Sequence, residues 1–418
     1  MKTELISNVS HDLKTPLTSI ISYIDLLDML TFDRAEFHKE IKLSVKKKVN
    51  IESKWELERL DKIADIIKGV TYSKADQSLS ETNKIILTAD NITLNGDFEI
   101  KKKVFINESF NIPTEKKLSR NDIFICFSSG SKEHLGKVAF IEENTNYFAG
   151  GFMGIVRVNK NAKSKYIYQL LNSLLRQTIR DIGTGSNINN LSGIINEVKI
   201  PLPPLDIQQK IVSEIEVLEA KEQKAKEEIE NGKERIATLY NQAESKADKV
   251  VRLSDENIFQ VSIGKRVLKN EFVENGKIPV YSANVIEPFG SIDKLLIKDF
   301  SKPSVLWGID GDWMVNHLPK DEPFYPTDHC GVLRVKDNSI NEKYLAFILE
   351  KEGKVFEFSR TKRASIDRIQ GIKIAVPPLS EQQKFVSEIE KIEEQIKTLE
   401  TEISEIPKQK EVILKKYL

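Results

Sequence analysis

Apolar positions recur with a helical period in two long segments of the chain. In the segment from Asp206 to Lys246, and again after Ser380, apolar side chains are separated by four and three residues in alternation, and charged residues fill most of the other positions. Such spacing is typical of coiled coils. We therefore predict two long helices, the first of them about 60 Å long at about 1.5 Å per residue.

The two predicted helices have equivalent apolar seams. Each seam residue of the second helix coincides with a seam position of the first when 174 is subtracted from its number. Glu222 and Gly232 weaken the first seam, and Pro407 is expected to kink or end the second helix. Surfaces this polar do not stabilise a lone helix, so we predict that the helices pair. The predicted seam consists of Ile211, Ile215, Leu218, Ile229 and Ile236 in the first helix and of Phe385, Ile389, Ile392, Ile396, Leu399 and Ile403 in the second.

Both helices belong to an internal repeat. The sequence IPLPPLDIQQKIVSEIEVLE begins at Ile200, and IAVPPLSEQQKFVSEIEKIE begins at Ile374, 174 residues later. Upstream, GIVRV from Gly154 resembles GVLRV from Gly331, and each is followed by a turn and an apolar helical stretch. The chain therefore contains two copies of one plan: a mixed α/β globule, a Pro-Pro-Leu joint and a long polar helix.

The joints divide the chain into globules and helices. The proline pairs at 203–204 and 377–378 hold the preceding residues extended, and Asp206 and Ser380 follow at positions that suit helix N-caps. Because each helix follows an equivalent globule, we predict an α+β fold whose two globules are related by a pseudo-twofold and separated by two long antiparallel coiled-coil helices. The predicted order is a fragment at 1–30, a linker or helix at 31–52, the first globule at 53–203, the first helix at 204–247, the second globule at 248–377 and the second helix at 378–418.

The charge balance limits how the chain can bind nucleic acid. Lysine plus arginine and aspartate plus glutamate each number 63, so the formal net charge is zero over 418 residues. Proteins that coat DNA without sequence preference are usually basic, because phosphate neutralisation drives that binding. Any contact with nucleic acid would therefore use local basic patches or partner subunits.

Cysteine usage and hydropathy bear on the compartment. Cys126 and Cys330 lie far apart, which excludes a disulfide framework and a CxxC metal knuckle, and both are expected as small apolar residues near strands. This usage fits a reducing compartment. No run of 18 apolar residues and no secretory signal occurs, so we expect a cytoplasmic protein without a membrane partner.

The repeated motif carries a family resemblance. The pattern PPLxxQQKxVxEIE occurs from Pro203 and again from Pro377, after two dissimilar globules. Over roughly residues 53–418 the chain resembles the DNA-specificity subunits of type I restriction–modification enzymes. The resemblance implies that each globule is a target-recognition domain reading one half of a split, asymmetric site on double-stranded DNA.

The same resemblance implies partners. The paired helices would act as a ruler that fixes the unread spacer between the half-sites, as rigid spacing does in dimeric DNA-binding proteins. They would also dock two methyltransferase subunits, which methylate adenine at N6, and two motor-nuclease subunits would join for restriction. The chain itself would bind no cofactor, because S-adenosylmethionine and ATP belong to those partner subunits.

We predict that three loops carry the side chains that contact DNA. Base contacts use Arg, Lys, Asn, Gln and Ser, and phosphate contacts use cations, hydroxyls and backbone amides. SSGSKEHLGK (128–137) follows an apolar run, IGTGSNINN (182–190) follows a helix with Arg176 and Arg180, and FSRTKRASIDR occupies the matching place in the second globule. Ordinary solvated turns are the alternative. The predicted DNA-binding residues are Ser129, Ser131, Lys132, His134, Arg180, Thr184, Ser186, Asn187, Arg360, Lys362, Arg363 and Ser365.

A further segment, WGIDGDWMVNH, has two interpretations. Trp307 and Trp313 flank Asp310 and Asp312 there. Aspartate repels phosphate, yet it accepts a hydrogen bond from cytosine N4. A packed turn is the favoured interpretation, and a base-contacting loop is the alternative.

Catalytic motifs are missing from the sequence. An amino-methyltransferase needs an [N/D]PP[Y/F] loop and a glycine-rich S-adenosylmethionine turn, a motor needs a Walker A loop, and none of them occurs. His317, His329 and Cys330 lack a fourth zinc ligand. We therefore predict a chain without a catalytic centre or a metal site.

The N-terminus carries a second resemblance. Residues 4–27 contain SHDLKTPL and are similar to the phosphoacceptor H-box of sensor histidine kinases. The resemblance implies that His11 accepts phosphate from ATP and that Asp12 assists as a base. Because no ATP-binding domain follows, we interpret residues 1–30 as a fused remnant. Two other functions stay open: a signalling protein that uses His11, and a coiled-coil scaffold without a DNA role.

Overall fold

The structure is a computed structural model that describes residues 51–182, 189–191 and 193–418. Contacts between residues divide the chain into two units. The first comprises the chain up to Glu222 together with Ser404–Leu418, and the second comprises Gln223–Ile403. Each of the two long helices therefore contributes residues to both units.

The first unit contains a central sheet and a smaller sheet. Its elements are β1 (Leu57–Arg59), α1 (Leu60–Ile63), β2 (Ala64–Lys68), β3 (Ile85–Leu87), β4 (Val104–Phe105), β5 (Ile123–Cys126), β6 (Ser128–Ser129), β7 (Val138–Phe140), β8 (Tyr147–Ala149), β9 (Met153–Val158), α2 (Ser164–Asn172), α3 (Arg176–Ile182), β10 (Asn189–Asn190), β11 (Lys199–Pro201) and α4 (Leu205–Ser245). The central sheet has the antiparallel order β2-β9-β5-β7, and the smaller sheet has the order β4-β3-β8. β1 pairs with β11, and β6 pairs with β10.

The second unit is built on the same plan. Its elements are β12 (Lys249–Arg252), β13 (Phe259–Ile263), β14 (Ile278–Tyr281), β15 (Gly290–Ile292), β16 (Ser304–Gly308), β17 (Val315–Leu318), β18 (Tyr325–Pro326), β19 (Cys330–Val335), α5 (Glu342–Val355), α6 (Ile366–Gln370), β20 (Lys373–Val376) and α7 (Leu379–Tyr417). The central sheet has the order β13-β19-β16-β17, the smaller sheet β15-β14-β18, and β12 pairs with β20. Strand order, direction and connection therefore match those of the first unit.

The helix after the central sheet is fixed in the same way in both units. α2 follows β9 and α5 follows β19, and both bury their apolar faces in the cores of their units. The hydroxyl of Tyr166 donates to the carbonyl of Pro201 at 2.8 Å, and the hydroxyl of Tyr344 donates to the carbonyl of Ala375 at 2.8 Å. A buried tyrosine hydroxyl needs such a partner, so each helix is locked to the strand that leads into the joint.

A buried glutamine fixes each joint. Gln208, in the first turn of α4, donates to the carbonyl of Pro203 at 2.8 Å and accepts from the backbone amide of Lys163 at 2.8 Å. Gln382 is the equivalent residue of α7 and is also fully buried. Its three hydrogen bonds, of 2.8–2.9 Å, join the backbone of Ser339, Asn341 and Pro377. The repeated glutamine therefore ties the start of a long helix to the segment that precedes α2 or α5.

The N-caps predicted at Asp206 and Ser380 are wrong. α4 and α7 begin one residue before them, so both residues lie inside the first turn. The backbone amide of Gln208 donates to the carbonyl of Pro204 at 3.0 Å. The carbonyl of the second proline therefore accepts the first helical hydrogen bond, and the glutamine side chain bonds backbone groups outside the helix.

In the first unit, the beginning of α4 runs antiparallel to the end of α7. Lys416 pairs with Glu214 at 3.0 Å, and Lys410 pairs with Glu219 at 3.3 Å. The partner position falls along α7 as the position rises along α4, which defines the direction. The buried apolar side chains of this part include Ile211, Ile215 and Leu414.

In the second unit, the end of α4 runs antiparallel to the beginning of α7. Arg235 pairs with Glu388 at 3.0 Å, and Lys246 pairs with Glu381 at 2.6 Å. The predicted seam residues of this unit that are buried are Ile229, Phe385 and Ile389, and those that are half-buried are Ile236, Ile392, Ile396, Leu399 and Ile403; Leu218, in the first unit, is also half-buried. The heptad seam and the buried stripe of the helices thus coincide.

The two weak points of the first seam have compensating neighbours. Glu222 lies 3.9 Å from the ammonium of Lys410, so its charge is paired where an apolar residue would stand. A Cβ added at Gly232 would lie 3.2 Å from Ile396. The glycine therefore permits close approach of α7 at this level.

Of the two effects expected at Pro407, the end of the helix is wrong, because α7 continues to Tyr417, and the kink stays a prediction. A proline removes one helical hydrogen bond and crowds the preceding turn. Packing of the last turns offsets this loss: Leu414 is fully buried, and the indole of Trp55 donates to the carbonyl of Tyr417 at 2.7 Å. Tertiary contacts therefore allow the helix to continue beyond Pro407.

The predicted α+β fold, with two mixed α/β units and long antiparallel helices, is confirmed. Cys126 and Cys330 lie on strands and are fully buried, as expected. Burial raises the pKa of the Cys126 thiol to about 11. Over the part of the chain that is described, no helix is both long and apolar enough to span a bilayer.

Candidate nucleic-acid interface

The first unit brings two predicted loops together at the end of β5. The backbone amide of Phe127 donates to the carbonyl of Phe152 at 2.9 Å, and its carbonyl accepts from the amide of Leu191 at 2.8 Å. The short pairing of β6 with β10 extends this contact. The loop at 128–137 and residues 189–191 therefore meet, although about 50 residues separate them. Thr184, Ser186 and Asn187 lie outside the described residues.

The loop at 128–137 presents mixed charges. Lys132 is exposed, and the Ser131 hydroxyl donates to the Glu133 carboxylate at 3.3 Å. His134 is half-buried, and Ser129 lies on β6. Lys137 points inward, where its ammonium donates to two backbone carbonyls, and serves the fold. Lys132 is thus the exposed cation of this loop.

Two arginines on α3 form a cationic patch, of which Arg180 is a predicted DNA-binding residue and Arg176 is not. Arg176 and Arg180 lie one helical turn apart, and no ion pair joins either of them to an acid among the described residues. The Nε atoms of both are buried without a hydrogen-bond partner. Burial, and secondarily the charge of Arg180, lower the pKa of Arg176. Both side chains remain half-exposed, so their accessible parts, and not the buried Nε atoms, form the cationic surface.

The second unit repeats the same backbone frame at the end of β16. The amide of Ile309 donates to the carbonyl of His329 at 3.1 Å, and its carbonyl accepts from the amide of Ala364 at 2.8 Å. The indole of Trp307 also donates to the carbonyl of Ala364 at 2.9 Å. This frame brings the WGIDGD segment against the FSRTKRAS loop.

Asp310 is the centre of the contact between these two loops. Its carboxylate lies 3.3 Å from the guanidinium of Arg363 and 2.9 Å from Nδ1 of His329. Trp307 is fully buried, and Trp313 donates to the carbonyl of Glu350 at 2.9 Å, so the segment is a packed turn as favoured. The same turn nevertheless presents Asp310 at the tip of the unit. Nothing in the sequence indicated that this turn contacts the FSRTKRAS loop.

The other cations of the FSRTKRAS loop point to solvent. Arg360 and Lys362 are exposed, and Lys362 lies 3.8 Å from the carboxylate of Glu357. Arg368 donates to the carbonyl of Arg363 at 3.0 Å and holds the loop backbone. Ser365 precedes α6 and makes no side-chain cap to it.

The two tips share their hydrogen bonds and differ in their side chains. The bonds of Phe127 correspond one for one to those of Ile309, so equivalent positions follow from them. Ser128, Asn190 and Phe152 in the first unit occupy the places of Asp310, Arg363 and His329 in the second. The frame is common to both units, and the exposed chemistry is specific to each.

The residues that suggested a zinc site in the sequence, His317, His329 and Cys330, do not form a metal-binding cluster. His329 is bonded to Asp310, and Cys330 is fully buried on β19. Desolvation raises the pKa of the Cys330 thiol to about 12, which disfavours the thiolate that metals bind. Across the described ranges, no group of three or more His, Cys, Asp or Glu residues is placed to hold a metal ion.

The sequence and fold match known proteins. The family model "Type I restriction modification DNA specificity domain" matches residues 52–231 and 248–408. The "Type I restriction enzyme EcoKI specificity subunit" of Escherichia coli (strain K12) is 34% identical over 164 residues, which are 38% of this chain and 35% of that protein. The StySPI specificity subunit of Salmonella potsdam is 31% identical over 180 residues, 42% of this chain and 38% of that protein. The matched region thus spans little more than a third of each relative.

A solved structure supports the same fold. The S subunit of a type I restriction–modification system from M. genitalium superposes with a TM-score of 0.53 at 18% identity, covering 89% of this chain and 98% of that one. A likeness at this identity concerns the fold.

A second family model, the "His Kinase A (phospho-acceptor) domain", matches residues 1–76. His11 lies outside the described residues. From residue 57 onward, the matched stretch forms β1, α1 and β2 of the first unit. The part of this match that the structure describes is therefore built into the sheets of the first unit.

Proposed function

This chain belongs to the family of type I restriction–modification DNA specificity domains, and we propose that it directs such a system to one split, asymmetric site on double-stranded DNA. We assign the target-recognition domains to residues 53–203 and 248–377. Each would read one half of the site with the tip of its central sheet. The proposal gives the chain a recognition role without catalysis.

One observation carries the proposal. The same backbone frame occurs at both tips, and the side chains it presents differ at every one of three equivalent places. Base readout depends on side-chain donors and acceptors, so different tips favour different half-sites. A scaffold without a DNA role would give no reason for a repeated frame with divergent, cation-bearing tips.

We further propose that the partners supply the chemistry. Two methyltransferase subunits would dock on the chain, bind S-adenosylmethionine and methylate adenine at N6, and two motor-nuclease subunits that use ATP would join for restriction. The exposed charged faces of α4 and α7 support this proposal, since only one stripe of each helix is buried.

Methylome sequencing tests the recognition role directly. A host expressing the full chain with its methyltransferase subunits is compared with a host expressing the methyltransferase subunits alone. We expect N6-methyladenine at one motif made of two different half-sites with a fixed spacer. A soluble complex that adds no methylation would contradict the proposal, and so would a palindromic motif.

The continuous helices also suggest a ruler. Seven residues inserted in α4 after Glu222, together with seven in α7 before Ser404, add about 10 Å and nearly whole turns, so the apolar stripes stay aligned. We expect the spacer to lengthen by about three base pairs, at about 3.4 Å per base pair. An insertion in α4 alone is the control, since it misaligns the seam. An unchanged spacer in the double insertion would refute the ruler.

Residues 1–30 are proposed to be a remnant without a role in recognition. This view is supported by β1 and β2, which lie within the later part of residues 1–76, the range that matches the kinase model. We expect the His11→Gln chain to direct the same methylation as the wild type. Loss of methylation in a soluble complex would instead favour the signalling alternative.

A further inference from the structure

We propose that Arg363 reads a guanine in the half-site of the second unit, and that Asp310 positions its guanidinium for this contact. The inference rests on the proposed function and adds to it the identity of one base. The three side chains concerned, Asp310, His329 and Arg363, are named the Asp310 clasp.

The backbone of the clasp is held by the frame of the tip. Each member is next to a residue of that frame: Asp310 follows Ile309, Arg363 precedes Ala364, and the carbonyl of His329 is itself a bond acceptor. Ile309 and Ala364 are almost completely buried. The clasp therefore projects from a packed support, which base readout requires because a loosely held donor loses its geometry.

The side chains of the clasp orient one another. The Asp310 carboxylate accepts from Nη2 of Arg363 at 3.3 Å and contacts Nδ1 of His329 at 2.9 Å. The Arg363 side chain remains 56% exposed. One edge of the planar guanidinium is thus held by the carboxylate, and other N–H donors stay available to a ligand.

The charge of the clasp decides between phosphate and base. A phosphate contact gains from releasing counterions, but Asp310 already neutralises Arg363 and repels a phosphate. A base edge is neutral, and guanine offers O6 and N7 to a guanidinium, the commonest specific contact of arginine in the major groove. The nearby Arg360, which is exposed and forms no ion pair with a described acid, suits the phosphates that flank such a base.

A purely structural role for the ion pair is disfavoured by the other unit. There, Ser128 and Asn190 stand in the places of Asp310 and Arg363, and the same backbone bonds form without opposite charges. The two backbone bonds of the frame therefore form in the first unit without an ion pair, with the β6–β10 pairing beside them. What the pair adds is an oriented guanidinium at an exposed tip.

The experiment compares the methylation motifs set by four full-length chains in complex with the methyltransferase subunits: wild type, Arg363→Lys, Asp310→Asn and Arg252→Lys. Lysine keeps the charge of Arg363 and removes its planar fork. Asparagine keeps the shape of Asp310 and removes its charge. The control residue, Arg252, is exposed on β12. Thermal unfolding of each complex monitors folding separately from recognition.

We expect Arg363→Lys to relax one guanine in one half-site, with the preference for that base falling roughly 10- to 100-fold. Asp310→Asn should relax the same position by a smaller factor, and the other half-site should keep its sequence. Arg252→Lys should leave the motif unchanged. Loss at one base with unaltered unfolding temperature separates a positioning role from a structural one.

Two results would overturn the inference. The first is an unchanged motif in both clasp variants. The second is a uniform loss of methylation at an unchanged motif, which would make Arg363 a phosphate contact. A wild-type complex that adds no methylation would instead refute the proposed function, and the inference with it.

Discussion

The tips of the two units differ in their side chains far more than in their backbones. Phe127 lies over Gly154 and Trp307 lies over Gly331, and in each case a Cβ on the glycine would overlap the aromatic ring. The same pair of backbone bonds follows in both units. Beyond this frame, the first unit presents hydroxyl and amide groups, whereas the second presents the charged Asp310 clasp.

A second difference lies behind the tips. Arg157 on β9 makes two bonds of 2.8 Å with the buried carboxylate of Asp122. Its equivalent on β19, Arg334, instead bonds Ser304 at 2.8 Å and keeps a buried Nη2 without a partner. The two units thus share backbone hydrogen bonds and apolar packing, which tolerate few changes, whereas the partners of their equivalent arginines differ.

The largest effect is expected from removing the aromatic rings that pack on Gly154 and Gly331. Phe127→Ala and Trp307→Ala should each lower the free energy of unfolding by about 3–5 kcal/mol, because a large buried side chain is lost and a cavity stays. Trp307→Ala should cost more, since the bond to the Ala364 carbonyl is lost as well. Chemical denaturation measures both. Equal costs would mean that this bond contributes nothing to the second tip.

Exchanging the residues that bond Arg157 and Arg334 should change the free energy of unfolding in opposite directions. Asp122→Ser leaves Arg157 without its carboxylate and should lower the free energy of unfolding by about 2–4 kcal/mol. Ser304→Asp offers Arg334 the missing partner and should raise it by about 1 kcal/mol. Glu81→Ser, at an exposed site before β3, is the control for charge removal. Destabilisation by Ser304→Asp would show that the second core cannot accommodate the carboxylate.

The cationic patches should contribute alike to DNA affinity although they lie on different elements. Arg176→Gln with Arg180→Gln, and Arg360→Gln with Lys362→Gln, should each reduce the slope of log affinity against log salt by about 1.8, which is roughly a 30-fold loss near 0.15 M salt. Binding of the methyltransferase complex to its site over a salt series measures this. Arg120→Gln is the exposed control. A patch whose removal leaves the slope intact does not touch phosphate.

The smallest effect concerns a charge on α5 that has no counterpart in the first unit. Glu352 lies eight residues after Tyr344, where Leu174 stands after Tyr166. Desolvation, with help from Glu244, raises the pKa of the Glu352 carboxyl. Because its pKa is raised in the folded state, the Glu352 carboxylate destabilises the fold. This destabilisation is absent below the pKa of the unfolded state and complete above the pKa of the folded state.

Glu352→Gln should therefore raise the free energy of unfolding at pH 7 by less than about 1 kcal/mol. The gain should vanish below the ordinary pKa of glutamate, where the wild-type carboxyl is protonated in both states. Thermal unfolding at pH 7 and at pH 4 provides the comparison. A gain that persists at low pH would point to packing instead of charge.

The sequence alone predicts much of the site, and the missing part has a common cause. Composition identified Arg360, Lys362 and Arg363 because three cations in a short polar loop are visible locally. It placed Arg176 on a helix but not in a patch, since burial of its Nε depends on the surrounding fold. It also left Asp310 apart from Arg363, because 53 residues separate them and only tertiary contacts between two loops join them.

The chain by itself determined its two long helices, their seam and the repeated plan, because a heptad period and a repeat are properties of neighbouring residues along one chain. Tertiary structure decided where the helices begin and end. Buried Gln208 and Gln382 tie the first turns of α4 and α7 to backbone outside the helices, and packing carries α7 past Pro407. It also decided which loops share a tip, because contacts between distant residues follow from strand pairing and burial, which no local pattern encodes.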